Sequence, residues 1–281
     1  MRIARVKIGD SRFLARLEPD DGAVLLHRES DRPGGDALRE ALLTGVALDG
    51  DGEYVSEGAY KLLSPVTNPS KFLGVGLNYY DHAREGGNEA PETPTFFLKG
   101  RNSIIGPTDQ IRYDPMVTTK VDFEVELAVV IGCQVSPSSP LPDNTILGFT
   151  TCNDVTARDA QFSDLQWTRS KSFDTFGPLG PWIVTADSID PVGLDLWSEV
   201  SGKRMQSGNT SNMVFSPNEI LSYAARSMTL EPGDVITTGT PAGVGFAQKP
   251  PRYLSDGDIV EVHVEGIGSC VNQVSTIKSR S

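Results

Sequence analysis

Residues 120–132 read KVDFEVELAVVIG. Val121, Phe123, Val125 and Leu127 alternate with Asp122, Glu124 and Glu126, and the run closes on the apolar stretch 128–131. Side chains alternate with a period of two along a strand, so the three carboxylates are expected to share one face. That face leads into a segment expected to be buried. Like charges crowded there repel one another and are costly to desolvate. An exposed sheet edge with solvated acids would remove the problem. A divalent cation held by Glu124 and Glu126 would remove it too, and hard oxygen donors favour Mg²⁺, Mn²⁺ or Ca²⁺ over zinc. The strand alone leaves both readings open.

The surrounding chain of 281 residues suffices for one large domain, or for a large one plus a small one. With 28 glycines and 19 prolines it suits a strand-rich fold with many turns. A formal net charge of −12 argues against nucleic acid or an anionic membrane as partner. A small anionic substrate stays possible, because a few local cations or a metal reverse the field locally. Cys133, Cys152 and Cys270 are scattered and odd in number, which fits a reduced, cytoplasmic setting. The opening MRIARVKIGDSRF lacks the apolar stretch of a signal peptide, and no run approaches the roughly 18 apolar residues of a membrane helix.

Residues 1–65 read as a small α+β unit, with strands in RIARVKI, RFLARLE and GAVLLHR. DALREALLTG reads as a helix capped by Asp36 and ended by Gly45. SPVTNPSK (64–71) is a connector, and residues 66–281 form a second, mainly β domain. Its strand candidates are KFLGVGLN, PTFFLKG, VDFEVELAVVIG, ILGFTTCNDV, PWIVTAD, LDLWSEVSG, KRMQSGNTS, DVITTGTP and DIVEVHVEGIG. Helices are few: 81–87, 157–165 and 216–228, the last opened by a Ser216/Glu219 capping box.

Several motifs fail. GVGLNY (74–79) lacks the third glycine of a dinucleotide loop, and GTPAGVG (239–245) lacks the lysine of a phosphate loop. There is no GxSxG, and three histidines are too few for a His-rich zinc site.

Other pieces converge on the acidic strand. Asp154, in GFTTCNDVTARDAQ (148–161), offers a third cation ligand, although it could equally cap the helix that follows. His82 and Glu85, in NYYDHAREGG, stand three apart, so on a helix they face the same way. A carboxylate beside an imidazole fixes its tautomer and raises its basicity, which makes a base for water. An inert surface His–Glu pair is the competing reading. The glycines and polar residues after this turn suggest a lid over 79–93. Lys99, Arg158 and Lys171 are cations in apolar or aromatic settings and would suit carboxylate and keto oxygens.

In this order, GVGLNYYDHARE, PTFFLKGRNSIIGP, VDFEVELAVVIG, GFTTCNDVTARDAQ, KSFDTFGPLGPW and LEPGDVITTGTPAGVG resemble the bacterial-type branch of the fumarylacetoacetate hydrolase family, over about residues 70–270. The resemblance implies a mixed β-sandwich roll with a small N-terminal α+β domain, usually in a homodimer. It implies one Mg²⁺ or Mn²⁺ on Glu124, Glu126 and Asp154. It implies His82, Glu85 and Lys171 as catalytic residues, and Lys99, Arg158, Gln161 and Thr240 on the substrate side. Asp122 receives no ligand role and is expected at the strand mouth, or paired with a nearby cation such as Lys120 or Lys171. The implied activity is hydrolytic carbon–carbon cleavage of a 2,4-diketo acid of acylpyruvate type. Oxaloacetate decarboxylation, hydroxymuconate-type isomerisation and ureidoglycolate cleavage on the same scaffold are its rivals. From outside enzymology the rival is a β-sandwich binding module with a structural Ca²⁺.

Overall fold

The computed structural model describes residues 1–31, 34–137 and 139–277, so the last four residues of the expected 66–281 domain lie outside it. Strand Val125–Ile131 is central. It pairs antiparallel with Ile146–Asn153 on one side and with Val235–Thr237 on the other. Beyond these the sheet extends through Phe72–Gly76 to Thr95–Leu98 in one direction, and to Gly177–Thr185 in the other. A second sheet has the order Lys203–Asn209, Asp195–Val200, Ile259–Val264, Gly268–Thr276, Ile111–Tyr113. Parallel and antiparallel pairs occur in both sheets, so the mixed, mainly β architecture expected from sequence is present.

The two faces of Val125–Ile131 are both buried, which explains its near-continuous apolar run. Val125, Leu127, Val129 and Ile131 join Leu196, Val260, Val262 and Val264 of the second sheet in one core. Ala128 and Val130 point the other way, into a core shared with Ile3, Leu14 and Leu38 of the N-terminal unit. Alternation puts Glu126 on this second face, at the end where the strand leaves the apolar interior. Leu127 is fully buried, and its truncation to alanine should cost about 2–5 kcal/mol.

The N-terminal strands attach at the edge of the large sheet, where Arg2 and Ile3 pair with Val184 and Ile183. Helix Ala37–Thr44 lies against this unit, with Asp36 accepting from the Arg39 amide and Gly45 ending it at φ 74°. The second oxygen of Asp36 accepts the amides of Thr67 and Asn68, which pins the connector to the N-terminal unit. Helix Pro217–Ala224 carries the expected Ser216/Glu219 capping box but stops short of residue 228. The helix expected over 157–165 spans Arg158–Ser163, and a short turn of helix, Thr168–Lys171, follows it unannounced by any apolar period. Among the described residues no helix is long and apolar enough to cross a membrane.

One expectation is corrected at the decisive stretch. KVDFEVELAVVIG is not one strand: Val121–Asp122 pairs with Thr156–Ala157, and the ladder resumes only at Val125. Side chains supply the missing bonds. Asp122 accepts the Phe123 amide, and Asn153 Oδ1 accepts the Glu124 amide at 3.0 Å. The Glu124 carbonyl in turn accepts the Asp154 amide at 2.9 Å. This break ties the Glu124 and Asp154 backbones together and turns Asp122 away from the other two acids.

Candidate metal centre and active site

Glu124, Glu126 and Asp154 each offer one carboxylate oxygen, and these oxygens lie within 4.8 Å of one another. All three residues are buried. Glu124 sits at the strand break, Glu126 one period along, and Asp154 just past the end of the neighbouring strand. The exposed-edge reading of the acids is therefore set aside. Three cations surround the group. Lys171 Nζ is 2.7 Å from both Glu124 Oε2 and Asp154 Oδ2. Lys99 Nζ is 2.6 Å from Asp154 Oδ1, and donates to the carbonyls of Lys171 and Phe176. Arg158 spans Asp122 through Nε at 2.8 Å, Glu124 through Nη2 at 2.6 Å and Gln161 through Nη1 at 2.8 Å.

Counted as fully ionised, Asp122, Glu124, Glu126 and Asp154 bring four negative charges against three positive ones on Lys99, Arg158 and Lys171, an excess of one carboxylate in a buried cluster. The excess is felt at Glu126. Burial, reinforced by Asp154 and Glu124, pushes its carboxyl well above the usual range. Burial pushes Glu124 the same way, but Lys171 and Arg158 outweigh it and hold that carboxyl at about 2. Lys171 is raised despite its burial, because Asp154 and Glu124 stabilise the ammonium. Among the described residues no basic side chain lies within ion-pair distance of Glu126, whose Oε2 accepts the Gly239 amide at 2.8 Å. Among the described residues the hydroxyl of the fully buried Tyr79 has no hydrogen-bond partner, and Glu126 is among the charges acting on it. An over-acidic group of hard oxygens with one uncompensated carboxylate fits a divalent cation of the Mg²⁺ or Mn²⁺ type.

A cavity of about 300 Å³ opens onto Glu124 and Glu126 of the triad. His82 lines it, on the short helix Tyr80–Glu85. Its Nδ1 is 3.4 Å from Glu85 Oε2, a long contact of the kind that tightens when substrate binds. Glu85 is held in turn by the Gly243 amide, 2.9 Å from Oε1. Glu124, Glu126, Lys171, Arg158, Gln161 and Thr240 also line the cavity, so most of the residues singled out in the sequence meet around one space.

Two expectations need correction. Lys99 is not on the substrate side: its side chain is wholly buried behind Asp154, where it fixes that carboxylate. Asp122 does pair with a nearby cation, but with Arg158 rather than Lys120 or Lys171, and it does not sit at an open strand mouth. It is fully buried, accepts the Gly245 and Phe246 amides, and holds Arg158. Arg158 borders the cavity as expected, yet each of its three nitrogens already faces an acceptor. Gln206 was not anticipated. Buried between sheets, it accepts the Val125 amide and donates to Thr240 Oγ1 at 2.7 Å, which fixes the threonine hydroxyl. KRMQSGNTS carries no spacing signal that would single out this glutamine.

The sequence model for the fumarylacetoacetate (FAA) hydrolase C-terminal region matches residues 71–275. Fumarylacetoacetate hydrolase from Exiguobacterium antarcticum superposes with a TM-score of 0.86 at 37% identity, over 99% of this chain and 100% of that one. A 5-carboxymethyl-2-hydroxymuconate delta-isomerase from Mycobacterium smegmatis superposes at 0.81 with 36% identity, over 99% and 100%. An uncharacterized protein of Archaeoglobus fulgidus is 49% identical over 228 residues, 80% of this chain and 86% of the other. With its fold, its acidic triad and these relatives in agreement, the chain belongs to the fumarylacetoacetate hydrolase family.

Proposed function

We propose that the protein is a divalent-metal-dependent hydrolase that cleaves a carbon–carbon bond in a short 2,4-diketo acid. The observation that carries this reading is that Glu124 and Glu126 of the acidic triad line one cavity with an imidazole backed by a carboxylate. Glu124, Glu126 and Asp154 would hold Mg²⁺ or Mn²⁺, which when bound supplies Lewis-acid polarisation of the substrate's carboxylate and 2-keto oxygens. His82, oriented by Glu85, takes a proton from water, and the hydroxide adds to the distal carbonyl. The bond between that carbonyl carbon and the methylene then breaks. Its electron pair moves to the methylene carbon and gives the enolate of a 2-keto acid, whose charge faces the Lys171 ammonium. His82 returns its proton to that carbon. The products are a carboxylic acid and a 2-keto acid.

Hydrolysis is favoured over isomerisation because activating a water requires a base, and the His82–Glu85 pair offers one. The isomerase among the similar structures, together with decarboxylation and ureidoglycolate cleavage, marks the alternatives on one scaffold. Purified protein assayed with acylpyruvates, oxaloacetate and ureidoglycolate, with and without EDTA, separates them. Acylpyruvate cleavage that vanishes with EDTA and returns with Mg²⁺ is expected. Turnover that survives complete metal removal overturns the reading. The homodimer implied by the family belongs to the same reading, and sedimentation measures it directly.

A further inference from the structure

Beyond its charged end the cavity is walled by aromatic rings, and the motif that failed as a nucleotide loop makes room for two of them. Gly74 and Gly76 lie two apart on strand Phe72–Gly76. A Cβ at Gly74 would fall 2.1 Å from the Phe97 ring, and one at Gly76 would fall 2.3 Å from the Trp167 ring. Phe97 and Trp167 meet edge to face at 5.8 Å, and Lys171 Nζ lies 5.0 Å from the centre of the Phe97 ring. This pair begins beside the catalytic lysine. Across the cavity Phe162 and Phe246 form a second edge-to-face pair at 5.8 Å, with Phe246 under the Arg158 guanidinium. Phe162 lines the cavity and is 64% exposed, so its ring is open to a ligand there.

Among the described residues lining the cavity, the basic ones are His82, Arg158 and Lys171. Lys171 is engaged by Glu124 and Asp154, and Arg158 by Asp122, Glu124 and Gln161. His82 is committed to the reacting water. A second carboxylate on the substrate would enter the aromatic walls with no free cation to meet it, and an unpaired buried charge is expensive.

We infer that the acyl half of the substrate is uncharged and apolar, held between the Phe97–Trp167 and Phe162–Phe246 pairs. The inference takes the orientation of the substrate from the reading above and adds the chemical class of the group to be cleaved off: a monocarboxylic acylpyruvate with an alkyl or aryl acyl group. Substrates with a second carboxylate at that end are disfavoured.

The test uses unreactive probes, so that binding is read apart from turnover. Mg²⁺-loaded protein is titrated calorimetrically with oxamate, N-benzyloxamate and N-(carboxymethyl)oxamate. The first presents the keto-acid end alone, and the others add an aryl or a carboxylate tail. N-benzyloxamate is expected to bind about tenfold or more tighter than oxamate. N-(carboxymethyl)oxamate should bind more weakly than oxamate. Trp167→Ala should shrink the benzyl-to-oxamate ratio to near unity, and Phe162→Arg should raise the relative affinity of the carboxymethyl probe. A carboxymethyl probe that matches or beats the benzyl probe overturns the inference, as does a benzyl probe no better than oxamate. If the ratio holds while no acylpyruvate is cleaved, the hydrolytic reading falls and the apolar site stands. If acylpyruvates are cleaved but the ratio is reversed, the hydrolytic reading stands and the apolar site falls.

Discussion

Two buried ionic groups in this molecule differ in one respect. In the N-terminal unit Arg5 forks onto Glu29, Nε to one oxygen and Nη2 to the other at 2.8 Å, and both side chains are buried. The Arg5 guanidinium meets the Glu29 carboxylate in the geometry it favours, and the exposed Arg12 stands 3.6 Å beyond, so no carboxylate here lacks a cation. Beneath the cavity of the catalytic half, four carboxylates face three cations, and Glu126 is left without a basic partner among the described residues. The first group is complete and ties strand Arg2–Ile8 to the residue after strand Ala23–Arg28. In the proposed reading a bound divalent cation completes the second. An imbalance of buried charge, more than burial itself, separates a site from a strut.

Mutations at the triad should abolish function, and Asp154→Ala, which strands the buried Lys99 ammonium, should also cost some stability. Asp154→Ala deletes a ligand, and we expect turnover to fall by about 10³ or more. Mg²⁺ should no longer raise the melting temperature. Next comes His82→Ala, expected to lower kcat by about 10² to 10⁴ while Mg²⁺ binding persists. A variant that turns over normally would return His82 to the inert surface reading. The converse holds at the strut. Arg5→Ala strands a buried carboxylate and should destabilise by about 3 kcal/mol, the low end for a broken buried pair, because Arg12 stands 3.6 Å from Glu29. Its kcat and Mg²⁺ affinity should match wild type, and denaturant melts with and without Mg²⁺ should show equal losses.

The smallest effect is on the pH dependence of the metal-free protein. Burial, together with Asp154 and Glu124, raises the Glu126 carboxyl. As pH rises the unfolded chain therefore gives up this proton first. The stability Glu126 contributes is full below its unfolded pKa, about 4.3, and is lost as pH climbs through the raised folded value. Glu126→Gln in EDTA should flatten that part of the stability–pH curve, and an unchanged slope would show that Glu126 carries no excess charge.

Much of the site was legible because its residues lie in short segments with strong local logic. Glu124 and Glu126 follow from strand period, His82 and Glu85 from helical spacing, and Asp154 and Lys171 from motifs carried by the family. What stayed hidden depends on contacts between distant segments. The break at Phe123 and Glu124 is made by Asn153, 29 residues away, and no periodicity records it. Lys99 reads as a substrate cation because its segment is apolar, and only the fold shows that segment passing behind Asp154. Gln206 fixes Thr240 across 34 residues. Gly74 and Gly76 resemble part of a loop motif until Phe97 and Trp167 are seen filling the space they leave.

The central claim is that the acidic triad is a cation site. Titrating Mg²⁺ into EDTA-treated, desalted protein in a calorimeter, beside Asp154→Ala, tests it most directly. The account predicts one ion bound per chain in the wild type and none at the same concentrations in the variant. Wild-type protein that binds no divalent ion, or a variant that binds it equally well, would contradict it.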